Sequence, residues 1–148
     1  MSLRILIANG PNLNLLGLRE PEIYGRETLD DIRAACIRTG EELGVEIDFR
    51  QTNHEGWLVT WIQEARTTAD AIILNAGAFT HTSAAIHDAL RTYDGFKLEL
   101  HLSNPHKREV FRHLTFLGPA SDAVIAGFGA AGYAAAVRAV AGRLEGGA

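Results

Sequence analysis

A single cysteine, Cys36, leaves no partner for an intramolecular disulfide and no thiolate set for a metal, which suits a reducing compartment. Two lysines, Lys97 and Lys107, are the whole supply of amines for a Schiff base. The first begins a predicted strand at the wrong end, and the second falls in a polar turn. No run approaches eighteen apolar residues. The run Ile5 to Ala8 stops at Asn9-Gly10-Pro11, too short for a signal h-region or a membrane span, so the expected location is cytoplasmic, with no membrane partner. Positive charge is also scarce. A formal net charge of −4 argues against nucleic acid or an anionic membrane as the main partner, while leaving room for a basic pocket in one cleft. What is there is 148 residues, 47% hydrophobic and 22% charged, the make-up of one globular domain, 1–148, around one core.

Short apolar runs alternate with segments of helical period. Strands are expected at Leu3 to Ala8, Val45 to Arg50, Ala71 to Leu74, Lys97 to Leu102 and Ala123 to Gly127. Helices are expected from Thr28, an N-cap with Asp30 and Asp31 in the first turn, to the stop at Gly44. Others follow at Glu55 to Thr67, Ser83 to Thr92, around Lys107 to Arg112, and Ala130 to Leu144. A long loop, Asn9 to Tyr24, and a flexible tail at about 145–148 complete the chain. Strands alternating with helices imply parallel pairing, and uninterrupted apolar strands imply burial on both faces. The expected fold is α/β: a flavodoxin-like doubly wound five-stranded parallel sheet in three αβα layers, with ligands outside the strand carboxyl ends.

Three strands run into unusual polar residues: Asn9-Gly10-Pro11-Asn12-Leu13-Asn14, Asn75-Ala76-Gly77-Ala78-Phe79-Thr80-His81-Thr82-Ser83, and Glu99-Leu100-His101-Leu102-Ser103-Asn104. Asn and Gly are ordinary turn residues, but in this topology all three segments converge on one edge of the sheet. The strand period of two puts Glu99, His101 and Ser103 on one face, with Leu98, Leu100 and Leu102 on the other. A carboxylate beside an imidazole accepts a ring N–H, fixes the tautomer and favours the protonated ring, which prepares a general acid. The loop segment Arg19-Glu20-Pro21-Glu22-Ile23-Tyr24-Gly25-Arg26 has the character of a functional lid, at about 17–26. Its Tyr24 acts as a base only if guanidinium groups such as Arg19, Arg26, Arg108 or Arg112 stabilise the phenolate.

These residues resemble the type II 3-dehydroquinate dehydratases. The matching segments are Asn9 to Gly17 with Arg19-Glu20-Pro21 and Ile23-Tyr24-Gly25, Gln51 to Gly56, Asn75-Ala76-Gly77, Thr80 to Ser83, His101 to Asn104, and Ile125 to Gly129. The match spans essentially the whole chain. The resemblance implies anti elimination of water from 3-dehydroquinate to 3-dehydroshikimate, in the shikimate route to aromatic amino acids or in quinate breakdown. It implies Tyr24 as the base at C2, aided by Arg19 and Arg108, and Asn12 holding a water that stabilises the enolate. His101, oriented by Glu99, would protonate the departing C1 hydroxyl. Ser103 and the neighbouring backbone at Leu102 would bind the carboxylate, while Asn75, His81 and Arg112 would contact the hydroxyls. Asp88 resembles a residue that reaches a neighbouring subunit's site. No metal or cofactor is implied, and the assembly implied is a homododecamer built from trimers.

Phe79, His87, Trp57, Leu114 with Thr115, and Pro105 depart from the common pattern of that family, and none of them is a proposed acid, base or partner arginine. Rival readings are weaker. Gly127-Phe128-Gly129-Ala130-Ala131-Gly132 matches the dinucleotide fingerprint, but only sixteen residues follow Gly132, too few for the strand and acidic residue that a nucleotide fold needs. The six histidines form no HExxH or Cys/His set for a metal hydrolase. A non-catalytic binding paralogue would be expected to lack Tyr24, Arg19, Glu99 or His101, and all four are present.

Overall fold

A computed structural model of the chain describes residues 2–146. Its strands are β1 (Leu3–Asn9), β2 (Val45–Gln51), β3 (Ala71–Asn75), β4 (Phe96–His101) and β5 (Ala123–Ala126). They pair in parallel in the order β2-β1-β3-β4-β5, the flavodoxin-like arrangement expected. The helices are α1 (Pro21–Tyr24), α2 (Leu29–Leu43), α3 (Glu55–Thr68), α4 (Ala84–Arg91) and α5 (Ala131–Gly146).

The strand period of two sorts the apolar side chains into two cores. Ile5, Ile7, Ala71, Ile73, Leu98 and Leu100 pack with Ile32 and Cys36 of α2 and Val137 and Val140 of α5. Leu6, Ala8, Ile72 and Leu74 pack on the other face with Leu58 and Ile62 of α3 and Ile86 and Leu90 of α4. Each fully buried Ile or Leu contributes about 1.5–3 kcal/mol, so these two layers hold the sheet rigid behind its polar edge. Local chemistry sets the helix ends. The Thr28 hydroxyl accepts the Asp31 N–H at 3.1 Å while the Asp31 carboxylate accepts the Thr28 N–H at 3.0 Å, a capping box that starts α2. Gly44 ends α2 in the left-handed region. Ser83, buried, accepts the Ile86 N–H at 2.9 Å and starts α4.

Four expectations need correction. The loop after β1 is not structureless: it holds a 3-10 turn at Leu13–Leu15 and the short helix α1, begun by Pro21 in a first-turn position. No helix spans 107–112. Two 3-10 turns, Pro105–Lys107 and Val110–Arg112, stand there, separated by Arg108, which is extended, and Glu109, which is also non-helical. The Arg108 carbonyl, which a continuous helix would pair with the Arg112 N–H, accepts from the His113 ring instead, and the Arg112 N–H donates to the Glu109 carbonyl. β4 stops at His101, which leaves Ser103 beyond the strand. Of the tail at 145–148, Glu145 and Gly146 belong to α5; the rest lies outside the described residues.

The dinucleotide-like motif has a structural use. Gly127 (φ +93°) and Gly129 (φ +62°) take left-handed conformations that turn β5 into α5. Their N–H groups donate to the carbonyls of His101 (3.3 Å) and Leu102 (2.9 Å), tying down the end of β4.

Candidate active site

The carboxyl ends of β1, β3 and β4 lie side by side, with Asn9 opposite both Gln51 and Asn75. Beneath the edge, a buried polar bridge links three elements. Tyr133 of α5 donates its hydroxyl hydrogen to Asn9 at 2.7 Å and accepts from the Asn75 amide at 2.8 Å. Burial pushes the Tyr133 hydroxyl well above its ordinary pKa, against a smaller opposing effect of the Asn75 bond, so Tyr133 stays a neutral strut.

Above this bridge is a cavity of about 200 Å³. Its walls include Asn12, Arg19, Tyr24, Asn75, His81 and His101, together with Leu102, Ser103, Arg108 and Arg112. Three guanidinium groups and no carboxylate line it, a basic pocket in a chain of net negative charge. The Tyr24 ring is flanked by two of them: the Arg19 guanidinium carbon is 5.1 Å and that of Arg108 5.2 Å from its centroid. Arg108 also donates to the Ser103 hydroxyl at 3.4 Å. Tyr24, Leu102, Ser103 and Arg108 are shared with an adjoining groove of about 770 Å³ on the side of α1.

His101 donates from Nε2 to the Glu99 carboxylate at 2.8 Å. This leaves Nδ1 as the ring nitrogen free of Glu99. Glu99 is 1% exposed. Burial pushes its carboxyl up, but hydrogen bonds from His101, Thr115 and Thr80 and the His101 charge outweigh this, and the net direction is down. His81 donates from Nδ1 to the Leu114 carbonyl at 2.7 Å, which fixes its tautomer with Nε2 as the acceptor.

A sequence model of the family described as "Dehydroquinase class II" matches residues 3–141. The chain belongs to this family. It is 54% identical over 140 residues to the 3-dehydroquinate dehydratase of Rhizobium johnstonii, covering 95% of this chain and 97% of that one. To the 3-dehydroquinate dehydratase of Phenylobacterium zucineum it is 54% identical over 142 residues, covering 96% and 98%. The crystal structure of type II dehydroquinase from Propionibacterium acnes superimposes with a TM-score of 0.92 at 41% identity, covering 96% of this chain and 98% of that one.

Within this class II dehydroquinase scaffold, ten of the twelve residues singled out from the sequence line the one cavity. Glu99 stands behind His101. Asp88 lies on the exposed side of α4, outside the cavity of its own chain. Asn75 is more committed than expected: besides Tyr133 it accepts the Gly77 N–H at 3.2 Å, leaving one amide hydrogen spare. Arg26 is absent from the cavity walls. Lys97 is held by the Tyr93 and Gly95 carbonyls, away from this edge of the sheet. Among the described residues no three His, Cys, Asp or Glu side chains group as a metal site, and no helix is long and apolar enough to cross a membrane. Three contributors escaped the sequence reading. Thr80 and Thr115 both donate to Glu99, and Tyr133 braces Asn9 and Asn75. Thr80 stands inside a motif already noted and Thr115 at a departure from the family pattern, but neither position signals its partner.

Proposed function

We propose that the chain is a type II 3-dehydroquinate dehydratase, removing water in the anti sense from 3-dehydroquinate to give 3-dehydroshikimate. One juxtaposition carries this reading: a tyrosine ring with two guanidinium groups packed on it shares a small basic cavity with a glutamate-paired histidine. The volume is below the roughly 300–1,000 Å³ of drug-sized sites, which suits a small carboxylated ring.

In this mechanism Tyr24, as phenolate, takes the proton from C2, with the positive charges of Arg19 and Arg108 beside it. The electron pair passes to the C3 carbonyl oxygen as an enolate, stabilised by a water held by Asn12. His101, oriented by Glu99, gives its proton to the C1 hydroxyl. Water leaves as the C1–C2 double bond forms and the carbonyl is restored. A proton then returns from Tyr24 to His101 through solvent, so the elimination balances with the chain's own side chains. Ser103 and the Leu102 backbone receive the substrate carboxylate, and Arg112, His81 and the spare Asn75 amide hydrogen meet the hydroxyls. The segment 17–26 closes over the substrate as a lid, bringing Arg19 and Tyr24 with it.

The test is to add 3-dehydroquinate to the purified protein and follow the ultraviolet absorbance of the conjugated enone. Product is expected, and it survives chelator and borohydride. No turnover, or loss of activity on borohydride treatment with substrate, would sink the mechanism.

The further assignments are a cytoplasmic homododecamer built from trimers, working in aromatic amino acid synthesis. Uncovered apolar side chains support assembly, Val124 at 55% and Leu114 at 59% exposure, and so does the position of Asp88 outside its own cavity. Light scattering is expected to give twelve times the 16.0 kDa chain mass; a monomer would overturn the assembly. Gene deletion is expected to create an aromatic amino acid requirement, whereas loss only of growth on quinate would assign the enzyme to breakdown.

A further inference from the structure

The carboxylate behind the histidine is held by more than the histidine. Glu99 Oε2 accepts hydrogen bonds from Thr115 Oγ1 at 2.7 Å, His101 Nε2 at 2.8 Å and Thr80 Oγ1 at 2.9 Å. The Thr115 hydroxyl in turn accepts the N–H groups of Leu117 at 3.1 Å and Gly118 at 3.0 Å. A hydroxyl has one hydrogen and two lone pairs. With both lone pairs taken by backbone amides, the hydrogen has one place to go, and that is Glu99. The bond cannot reverse: a proton on Oε2 would face the Thr115 hydrogen.

The turn that holds Thr115 is pinned on both sides. The Phe116 N–H donates to the Thr80 carbonyl at 2.8 Å, and His87 donates from Nδ1 to the Phe116 carbonyl at 2.6 Å. A Cβ on Gly118 would lie 2.8 Å from Thr115 Cγ2 and 3.2 Å from Glu99 Oε1, so the turn packs closely on both partners. The cleft on this side of Glu99 is lined by His81, His101, His106, Arg112 and His113, with no second carboxylate facing it.

We propose that Thr115, assisted by Thr80, is a positioning residue for proton transfer: its one-way hydrogen bond holds Glu99 Oε2 as an acceptor and favours the ionised carboxylate, so that His101 holds its Nε2–H on Glu99 and keeps Nδ1 for the substrate. This rests on the dehydratase reading for its catalytic consequence, but not for the state of Glu99. Thr115→Val keeps the shape and removes the hydroxyl; Thr115→Ser keeps the hydroxyl. Thr80→Val removes the second donor without touching the turn's own hydrogen bonds.

The experiment titrates the Glu99 carboxyl by infrared difference spectroscopy, with Glu99→Gln as the blank, beside the pH profile of kcat for 3-dehydroquinate. In Thr115→Val the carboxyl is expected to titrate about one unit higher than in the parent, and Thr80→Val moves it the same way by less. The acid limb of kcat follows upward by about the same amount, and kcat falls less at neutral pH than in acid, because a carboxyl raised about one unit from below 4.5 is still ionised there. KM changes little, and Thr115→Ser restores the parental profile. A carboxyl titrating alike in the parent, Thr115→Val and Thr80→Val would overturn the proposal, as would Thr115→Ser behaving like Thr115→Val. A parent protein that gives no product but shows the shift keeps the Glu99 lock and overturns the dehydratase reading alone.

Discussion

Glu99 and His101 are two residues apart on one strand, and that spacing alone put a carboxylate next to an imidazole on the same face of β4. What the spacing did not contain was the environment that keeps the carboxylate charged. Thr80 and Thr115 reach it from nineteen and sixteen residues away, a distance that no helix or strand period relates to Glu99. Tyr24 is the opposite case: family resemblance supplied its role, and the fold then set two guanidinium groups against its ring from different parts of the chain. At this scale the pH dependence has a definite sign. The Glu99 carboxyl is held below its ordinary value of 4.5, so its stabilising contribution is complete above about that pH and is lost as pH falls through the lowered value. Glu99→Gln is expected to lose about 1–3 kcal/mol of stability at neutral pH, a difference that shrinks in acid below pH 4.5. Denaturant titrations at neutral pH and at pH 3 check this; an equal difference at both would contradict it. Turnover in Glu99→Gln is expected to fall about a hundredfold, since an unoriented imidazole is a poor acid.

At the scale of elements, the helices with chemical start and stop signals were the legible ones. Thr28 with Asp31 and the glycine at 44 bound α2 where expected, because capping is local. Thr28→Ala should cost about 1 kcal/mol, measured as a lower thermal midpoint with little change in KM for 3-dehydroquinate, since neither Thr28 nor any residue of α2 lines the cavity. A change in KM would show that α2 is coupled to the site. The segment 105–118 was illegible for a matching reason: its conformation is set by distant donors. His81 and His87 hold the Leu114 and Phe116 carbonyls, and Thr115 is tied to Glu99. Two of the six histidines that invited a metal reading, His81 and His87, are therefore occupied in bracing this strap. The glycine-rich turn after β5 resembles a nucleotide loop in sequence, yet its amides are spent on the His101 and Leu102 carbonyls.

Across the whole molecule, rigid and adaptable parts are separated. Two apolar layers fix the five strands, and the strand ends carry Asn75 and the Glu99–His101 pair, the proposed proton donor. Tyr24 and Arg19 come instead from the segment after β1, whose only regular pieces are a 3-10 turn and a four-residue helix. In the proposed mechanism the acid sits on the scaffold and the base on the segment that closes, a division that suits a closing site, and it makes the proposed base the decisive residue to change. The most direct measurement is steady-state turnover of 3-dehydroquinate by the parent, Tyr24→Phe and His101→Ala, with circular dichroism confirming that each variant folds. The parent is expected to produce 3-dehydroshikimate, and each variant to lose about 10²–10⁴-fold in kcat. A folded Tyr24→Phe protein with parental kcat would contradict the assignment of the base.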